Sequence, residues 1–444
     1  MTFESLQQTM RENGIVGCGG AGFPSYAKLN KEVDTILINC AECEPLLRLH
    51  RQLIEKRCVE IMQTAQIVAE TIGAKQVIVC IKEAYSKAVS SIKANIDSFP
   101  LVKLKLLDEV YPAGDEVVLI YEATQRVVQP GKLPASVGVI VYNVETMYNV
   151  YHAFKNKPVT HKFVTIAGEV GAPKTFYAPI GSKIYGLIKR AGGETVKDPE
   201  YLIGGPMMGY LGTDQDVVTK TTNAVIVLPK NHPVVLSKRT RISIDLKRAM
   251  ASCCQCNYCT DMCPRHLLGH PINPAEFMRV ASNQDSHNIK PYLDSAYCCG
   301  CGVCETYACP QGLSPRNLLF SMKNSLRAGG VKIPPFEGKA EPNDSRDLRK
   351  VPLERLISRL NLGKYNCAAP IYEDPINARE VVILTKQNVG VAAKPCVKVN
   401  DLVKIGDKVA IAEDSSLCVD LHASIDGIIV DVNERSITIR RDRE

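Results

Sequence analysis

Ten of the eighteen cysteines in this 444-residue chain fall within 57 residues, in two runs: CCQCNYCTDMCP from Cys253 to Pro264 and CCGCGVCETYACP from Cys298 to Pro310. Nothing else in the sequence restricts the fold as tightly, because backbone between such cysteines must wrap around whatever the thiolates hold. Cys253, Cys256, Cys259 and Cys263 follow C-x2-C-x2-C-x3-C-P. That spacing sets three thiolates around one 4Fe-4S cube and, where two such runs occur together, sends the fourth to the other cube. The second run repeats the plan with Cys298, Cys301 and Cys304, but reaches Cys309 across four residues instead of three. The crossed rule then assigns Cys253, Cys256, Cys259 and Cys309 to one cluster, and Cys298, Cys301, Cys304 and Cys263 to a second. Zinc also takes C-x2-C pairs in tetrahedral sites, but four ligands per ion would leave a third closely spaced cysteine idle in each run. His266 and His270, which follow Cys263, are expected as hydrogen-bonding residues, since the four-cysteine sets have no vacancy.

The length exceeds what one hydrophobic core serves, so about three or four domains are expected. No apolar run approaches the roughly 18 to 20 residues that cross a bilayer, and Met1 to Gly14 lacks the sections of a signal peptide. The expectation is a soluble cytoplasmic protein, not membrane-spanning, whose cysteines are reduced and ligate metal. The net charge of +7 overstates the basicity, because ligated clusters add negative charge, and no nucleic-acid partner is inferred. Lys238, Arg239, Arg241, Lys247 and Arg248 precede the first cysteine run. They either attract an acidic electron-transfer partner or offset cluster charge, and the charge-balancing reading is favoured.

Gly17 to Pro24 read GCGGAGFP, a loop whose four glycines let backbone lie against a flat or phosphorylated ligand. Lys28 follows, then an apolar strand from Val33 to Ile38 that ends in NCAECEP, Asn39 to Pro45. Polar side chains at the carboxyl end of a strand are where open α/β sheets bind ligands. A helical period from about Leu46 to Gly73 and a second strand, Gln76 to Lys82, complete a βαβ unit. Lys28 suits a phosphate or reduced flavin, Asn39 an orienting hydrogen bond, and the glutamates ribose hydroxyls. Cys40 and Cys43 form a further C-x2-C, for which a thiol redox pair is the less favoured reading.

The order GGAGFP, NCAECEP, YPAGDE (Tyr111 to Glu116) and NVETMYNV (Asn143 to Val150) resembles the flavin-binding subunit of respiratory complex I, which holds FMN and admits NADH. Ala41 stands where that family has aspartate and Cys43 where it has glycine, which leaves the nicotinamide side of the pocket open. The NCAECEP form is similar to the branch that contains RnfC and the PduS-type cobalamin reductases. The resemblance implies FMN or nicotinamide contacts at Gly17, Gly19, Gly20, Gly22, Lys28, Asn39, Glu42, Glu44, Glu116, Asn143 and Thr146.

The stretch from Val164 to Gly193 and the turn IGGPMMGYLG (Ile203 to Gly212) resemble the soluble-ligand-binding β-grasp (SLBB) module of the same families. Met207 and Met208 are read there as packing residues. Pro274 to Ser282 is expected as the helix between the two cysteine runs, and Val331 to Lys350 as a linker. A short helix follows with Leu353, Leu356, Ile357 and Leu360 on one face. The strand-rich end resembles a lipoyl-type barrel-sandwich hybrid, yet Ala423 to Gly427 stand where a carrier would place its modified lysine. The fold class is thus α/β multidomain. It comprises an FMN/NADH domain at 1–155, an SLBB module at 156–235, a helical two-cluster 4Fe-4S domain at 236–330, a linker and helix at 331–366, and the barrel-sandwich at 367–444.

A terminal barrel-sandwich favours the cobalamin reductases over RnfC, which carries that module first. The resemblance implies an enzyme with FMN and two 4Fe-4S clusters that passes electrons from NADH to cobalamin. Its partners would be a cobalamin adenosyltransferase and microcompartment shell proteins, and its location inside or on a bacterial microcompartment. The alternatives are an RnfC-like subunit linking NADH and ferredoxin, and a non-enzymatic conduit or docking subunit of a shell. Phe3, Leu6 and Met10 share one helical face, read as the first helix of the flavin domain in preference to an encapsulation tag.

Overall fold

The computed structural model describes residues 1–374, 376–413 and 416–441. Its amino-terminal domain is built on a four-stranded parallel sheet in the order Val102–Leu107, Gln76–Lys82, Thr35–Asn39, Val139–Asn143. Both faces are covered, as an all-parallel sheet requires. Ile36, Ile38, Val77 and Val79 face one apolar cluster, and Leu37, Ile78, Val139 and Val141 face another. The first cluster receives helices Phe3–Glu12, Leu49–Lys56, Cys58–Ile72, Ser86–Asn95 and Val144–Ala153, and the second Glu116–Thr124.

Leu6 and Met10 are wholly buried in the first cluster, so the amino-terminal helix is core and its apolar face is not presented to a partner. The helical period after Leu46 is interrupted at Arg57, whose φ of −129° and ψ of 32° separate two helices. The second of them ends at Gly73 in the left-handed region, φ +80°.

The second domain is a six-stranded sheet in the order Ile371–Tyr372, Lys174–Pro179, His161–Gly168, Ala224–Pro229, Pro199–Ile203, Tyr210–Gly212, with helix Ile184–Arg190. Its edge strand, Ile371–Tyr372, arrives from far along the chain. Helices Ile242–Ser252, Pro274–Ser282 and Pro315–Ala328 frame the cysteine runs.

The polar stretch after Val331 is not a free tether. Ala340 donates to and accepts from the Gln129 side chain, Arg346 is buried against Glu122 at 2.6 Å, and Val351–Pro352 pairs with Val110–Tyr111. The stretch is a strap across the flavin domain, held by polar contacts that a scan for apolar residues does not register. Leu353, Leu356, Ile357 and Leu360 are then buried together.

The carboxyl-terminal module packs the sheet Glu380–Leu384, Ser436–Arg440, Gly427–Val432, Leu402–Val403 on Lys394–Pro395, Lys408–Ile411, Leu421–His422. Ser424, in the hairpin of interest, is buried and donates to the Ile180 carbonyl at 2.6 Å. That hairpin is docked on the second domain, the opposite of a swinging arm.

Two buried cations tie the domains together. Lys162, on the first strand of the second domain, meets Glu145 of the flavin domain at 2.5 Å with both side chains 1% exposed. Removing one partner strands a buried charge, so Glu145→Gln is expected to lower unfolding stability by about 3 to 5 kcal/mol, measured by chemical denaturation. Lys220 donates to the carbonyls of Gly14 and Asp420, one in the flavin domain and one in the terminal module. Burial pulls its ammonium down to about 7. A base with a lower pKa folded than unfolded binds more protons when unfolded, so its contribution makes stability rise with pH above the folded value. Lys220→Met is expected to flatten the rise in Tm between about pH 7 and 8.5, below the main range of thiol ionisation. An unchanged slope would show that Lys220 keeps its proton in the folded chain.

Candidate functional site

The carboxyl ends of the parallel strands open into a cleft of about 430 Å³, within the range of small-molecule sites. Gly17, Gly19, Gly20, Lys28, Asn39, Glu42, Glu44, Glu116, Asn143 and Thr146 all line it. Gly22 does not. A Cβ there would lie 2.7 Å from Thr221 Cγ2, and the residue has φ +68°, so it lets the loop pack against the second domain and the terminal module. Gly19 is different, since a Cβ would find only Asn143 Nδ2, at 3.7 Å.

Most of the polar groups first hold the cleft's own walls. Asn39 donates to Gly114 O at 3.0 Å and accepts from Ala41 N at 3.0 Å. Thr146 Oγ1 accepts from Cys18 N, and Asn143 caps helix Val144–Ala153 by accepting from Glu145 N at 2.9 Å. Glu44 accepts from Met207 N and Met208 N, both at 2.9 Å, which ties the strand end to the IGGPMMG turn. Burial raises the Glu44 carboxyl, opposed by those two backbone donors. Lys28 Nζ lies 3.0 Å from Val141 O and 3.3 Å from Glu116.

Glu42 stands apart. It is 6% exposed with a backbone φ of +28°, unusual for a residue with a side chain. Its Oε2 accepts from His50 N at 3.0 Å, while Oε1 is buried with no partner in the protein. A buried acceptor left open in a glycine-walled cleft fits a ligand that brings N–H or O–H groups, as FMN does.

Sequence reasoning did not find His50, Tyr111, Met208 and Cys301 in the cleft wall. His50 Nε2 lies 3.0 Å from Asn143 Nδ2. Because the Asn143 oxygen is committed to the helix cap, its nitrogen is the donor and His50 Nε2 the acceptor. Met207 is 4% exposed and packs as expected, whereas Met208 is 52% exposed and faces the cleft. Cys43 lines the cleft whereas Cys40 is buried in the first apolar cluster, so the two thiols sit in different surroundings. Burial pushes the Cys43 thiol up to about 12.

The two cysteine runs come together in the fold. Cys253, Cys256 and Cys259 line one cavity with Cys309, and Cys263 lies among Cys298, Cys301 and Cys304. Among the described residues no three of these groups converge on a point that would hold a single ion. Amides of Gly300 and Leu313 point at Cys298 and Cys309 Sγ, at 3.3 and 3.4 Å. The extra residue before Cys309 is absorbed in a π-helical turn, Cys304–Ala308.

His266 and His270 are held by the carbonyls of Ile272 and Val128. Of the basic run, Lys238 donates to Met207 O and Gly209 O, Arg239 pairs with Glu200, and Arg248 reaches Gly312 O. Arg241 and Lys247 are exposed.

The Nuo51 FMN-binding domain family matches residues 10–152, the SLBB domain 163–211, the 4Fe-4S dicluster domain 252–314 and the RnfC barrel sandwich hybrid domain 363–443. Cobalamin reductase PduS of Citrobacter freundii is 38% identical over 441 residues, 99% of this chain and 97% of that protein. The chain belongs to the PduS family of cobalamin reductases. The Salmonella typhimurium PduS is 37% identical over 444 residues, spanning 99% of this chain and 97% of that protein. A component of the ion-translocating oxidoreductase complex of Yersinia enterocolitica is 29% identical over 60% of this chain and 37% of its own length. A chain of an NAD+-reducing [NiFe]-hydrogenase covers 75% of this one and 68% of itself, with 17% identity and a TM-score of 0.48. This PduS-family chain is therefore an oxidoreductase that transfers electrons with flavin and iron-sulfur groups. Among the described residues no helix is long and apolar enough to cross a membrane.

The two glycines give a direct check on the cleft. Gly19→Val is expected to weaken FMN binding at least about tenfold, or 1.4 kcal/mol, with the apoprotein's Tm retained. Gly22→Ala is expected to lower that Tm instead. Flavin titration and thermal melts of the two apoproteins separate the outcomes.

Proposed function

We propose that the chain passes electrons from NADH to the cobalt of a cobalamin, through FMN in the cleft and two 4Fe-4S clusters held by the crossed cysteine sets. The position of Cys301 carries this reading. It is a member of the inner set and also part of the cleft wall, and its carbonyl accepts from the Tyr111 hydroxyl at 2.7 Å. FMN supplies hydride acceptance and the change from paired to single electrons, and the clusters supply single-electron carriage.

The chain's own residues prepare that traffic. The glycine loop leaves room for a phosphate, Lys28 offers it a positive charge, and Glu42 Oε1 waits for a ligand N–H or O–H. The inner cysteines, Cys263, Cys298, Cys301 and Cys304, are 7 to 8% exposed, whereas Cys256 is exposed. The two sets therefore define an inner end at the cleft and an outer end at the surface. A cobalamin presented by a partner, such as an adenosyltransferase, reaches the outer end without entering the chain. The relatives' names support the corrinoid acceptor, and residence in a bacterial microcompartment alongside shell proteins belongs to the same proposal.

Hydroxocobalamin, NADH and the gel-filtered, cluster-reconstituted protein are mixed without oxygen and followed by absorbance. Wild type is expected to reduce the cobalamin. Cys304→Ser is expected to lose at least about tenfold in that rate, roughly 1.4 kcal/mol, while NADH still bleaches its flavin. Flavin bleaching in wild type with cobalamin left oxidised would overturn the acceptor, and no bleaching would overturn the NADH assignment.

A further inference from the structure

Five thiols line the outer cavity, where the cluster spacing asks for four. Cys254 joins Cys253, Cys256, Cys259 and Cys309, and its thiol lies near that of Cys256. The backbone explains how neighbours on either side of Gln255 come to share a cavity. Gln255 and Asn257 both adopt left-handed conformations, φ +54° and +68°, which curl the segment over the thiols. Residues 254 to 258 are all exposed, and a shift confined to 254 to 256 leaves in place the bond from the buried Thr260 amide to the Asn257 carbonyl.

The second run has the same doubled cysteine, Cys299 beside Cys301, but not the same freedom. Cys301 is 8% exposed, its carbonyl is bound by Tyr111, and a Cβ on Gly302 would lie 3.4 Å from Met207 Cε. Replacing Cys301 by its neighbour would pull that loop off the cleft wall. Replacing Cys256 by Cys254 moves only surface chain.

We propose, resting on the cluster reading above, that the outer cluster is held at its solvent-facing corner by either of two thiolates, Cys254 or Cys256, with Cys253, Cys259 and Cys309 as fixed ligands. The exchange is ligand substitution at one iron. One Fe–S(Cys) bond forms as the other breaks, the incoming thiol's proton passes to the departing thiolate, and no electron is transferred. Loss of one of the two thiols to oxidation or alkylation then leaves the cluster in place.

The full-length chain and its Cys254→Ala, Cys256→Ala and doubly substituted variants are reconstituted without oxygen. Iron and acid-labile sulfide are counted, and electron paramagnetic resonance spectra are taken after dithionite reduction. Alanine has no oxygen to stand in as a ligand, and retained FMN binding shows that each variant has folded. Wild type and both single variants are expected to hold about eight irons and the double variant about four, with altered g-values in Cys256→Ala. A fall to about four irons in Cys256→Ala alone, or a three-iron signal there, would overturn the exchange. So would full iron loading of the double variant. Wild type without either cluster would instead overturn the reading on which the exchange rests.

Discussion

One buried hydrogen bond, from the Tyr111 hydroxyl to the Cys301 carbonyl, sets how the flavin domain and the cysteine domain face each other. Tyr111 is 2% exposed and burial holds its phenol well above the usual range, so it stays a donor at any physiological pH. The same residue pairs with Val351, which places the strap after the cysteine domain on the other side of the contact. Cleft wall, cysteine loop and strap thus share a single anchor. The loop that carries Cys301 can neither rise from the cleft nor slide along it without breaking that bond inside an apolar cluster.

Around this anchor the thiols sit in surroundings that oppose their ionisation. Burial raises Cys263 and Cys259 to about 12 and Cys298 to about 11. A metal that binds thiolate must supply the energy for deprotonation, so cluster assembly releases protons and is pH-dependent. Nearby cations moderate the cost. Lys323 donates to Cys298 O at 2.5 Å, and Arg265 bridges to Asp115 at 2.8 Å, a residue of the cleft wall. The charge of a cluster held by Cys263, Cys298, Cys301 and Cys304 would therefore meet the electrostatics of the cleft through one arginine-aspartate pair.

Much of this was legible in residue spacing because spacing encodes local geometry. The strand Gln76–Lys82 and the helix Pro274–Ser282 have the expected bounds, and Cys309 of the second run shares a cavity with Cys253, Cys256 and Cys259 of the first. What depends on distant contacts was not legible. Gly22 belongs to the same glycine run as Gly19, yet Thr221 and Asn388, some two hundred and more than three hundred and sixty positions away, decide that it is a packing residue. The strap after Val331 has the composition of a linker because its attachments are a glutamine amide and a buried arginine. Cys301 carries no sequence mark of its place in the cleft wall. The one departure from regular spacing, the fourth residue before Cys309, resolves into a wider helical turn and leaves the cysteine grouping unchanged.

The barrel-sandwich module has Ala423 to Gly427 where a carrier would place a modified lysine, and it packs behind the glycine loop of the flavin domain. Val389 N donates to Ala21 O within the glycine loop, Gln387 and Asn388 back Gly22, and Lys220 joins Gly14 to Asp420. A loop made early on the ribosome is therefore completed by residues made several hundred positions later. In a chain cut before the barrel-sandwich, that loop would lack its backbone bond to Val389 and the packing behind Gly22.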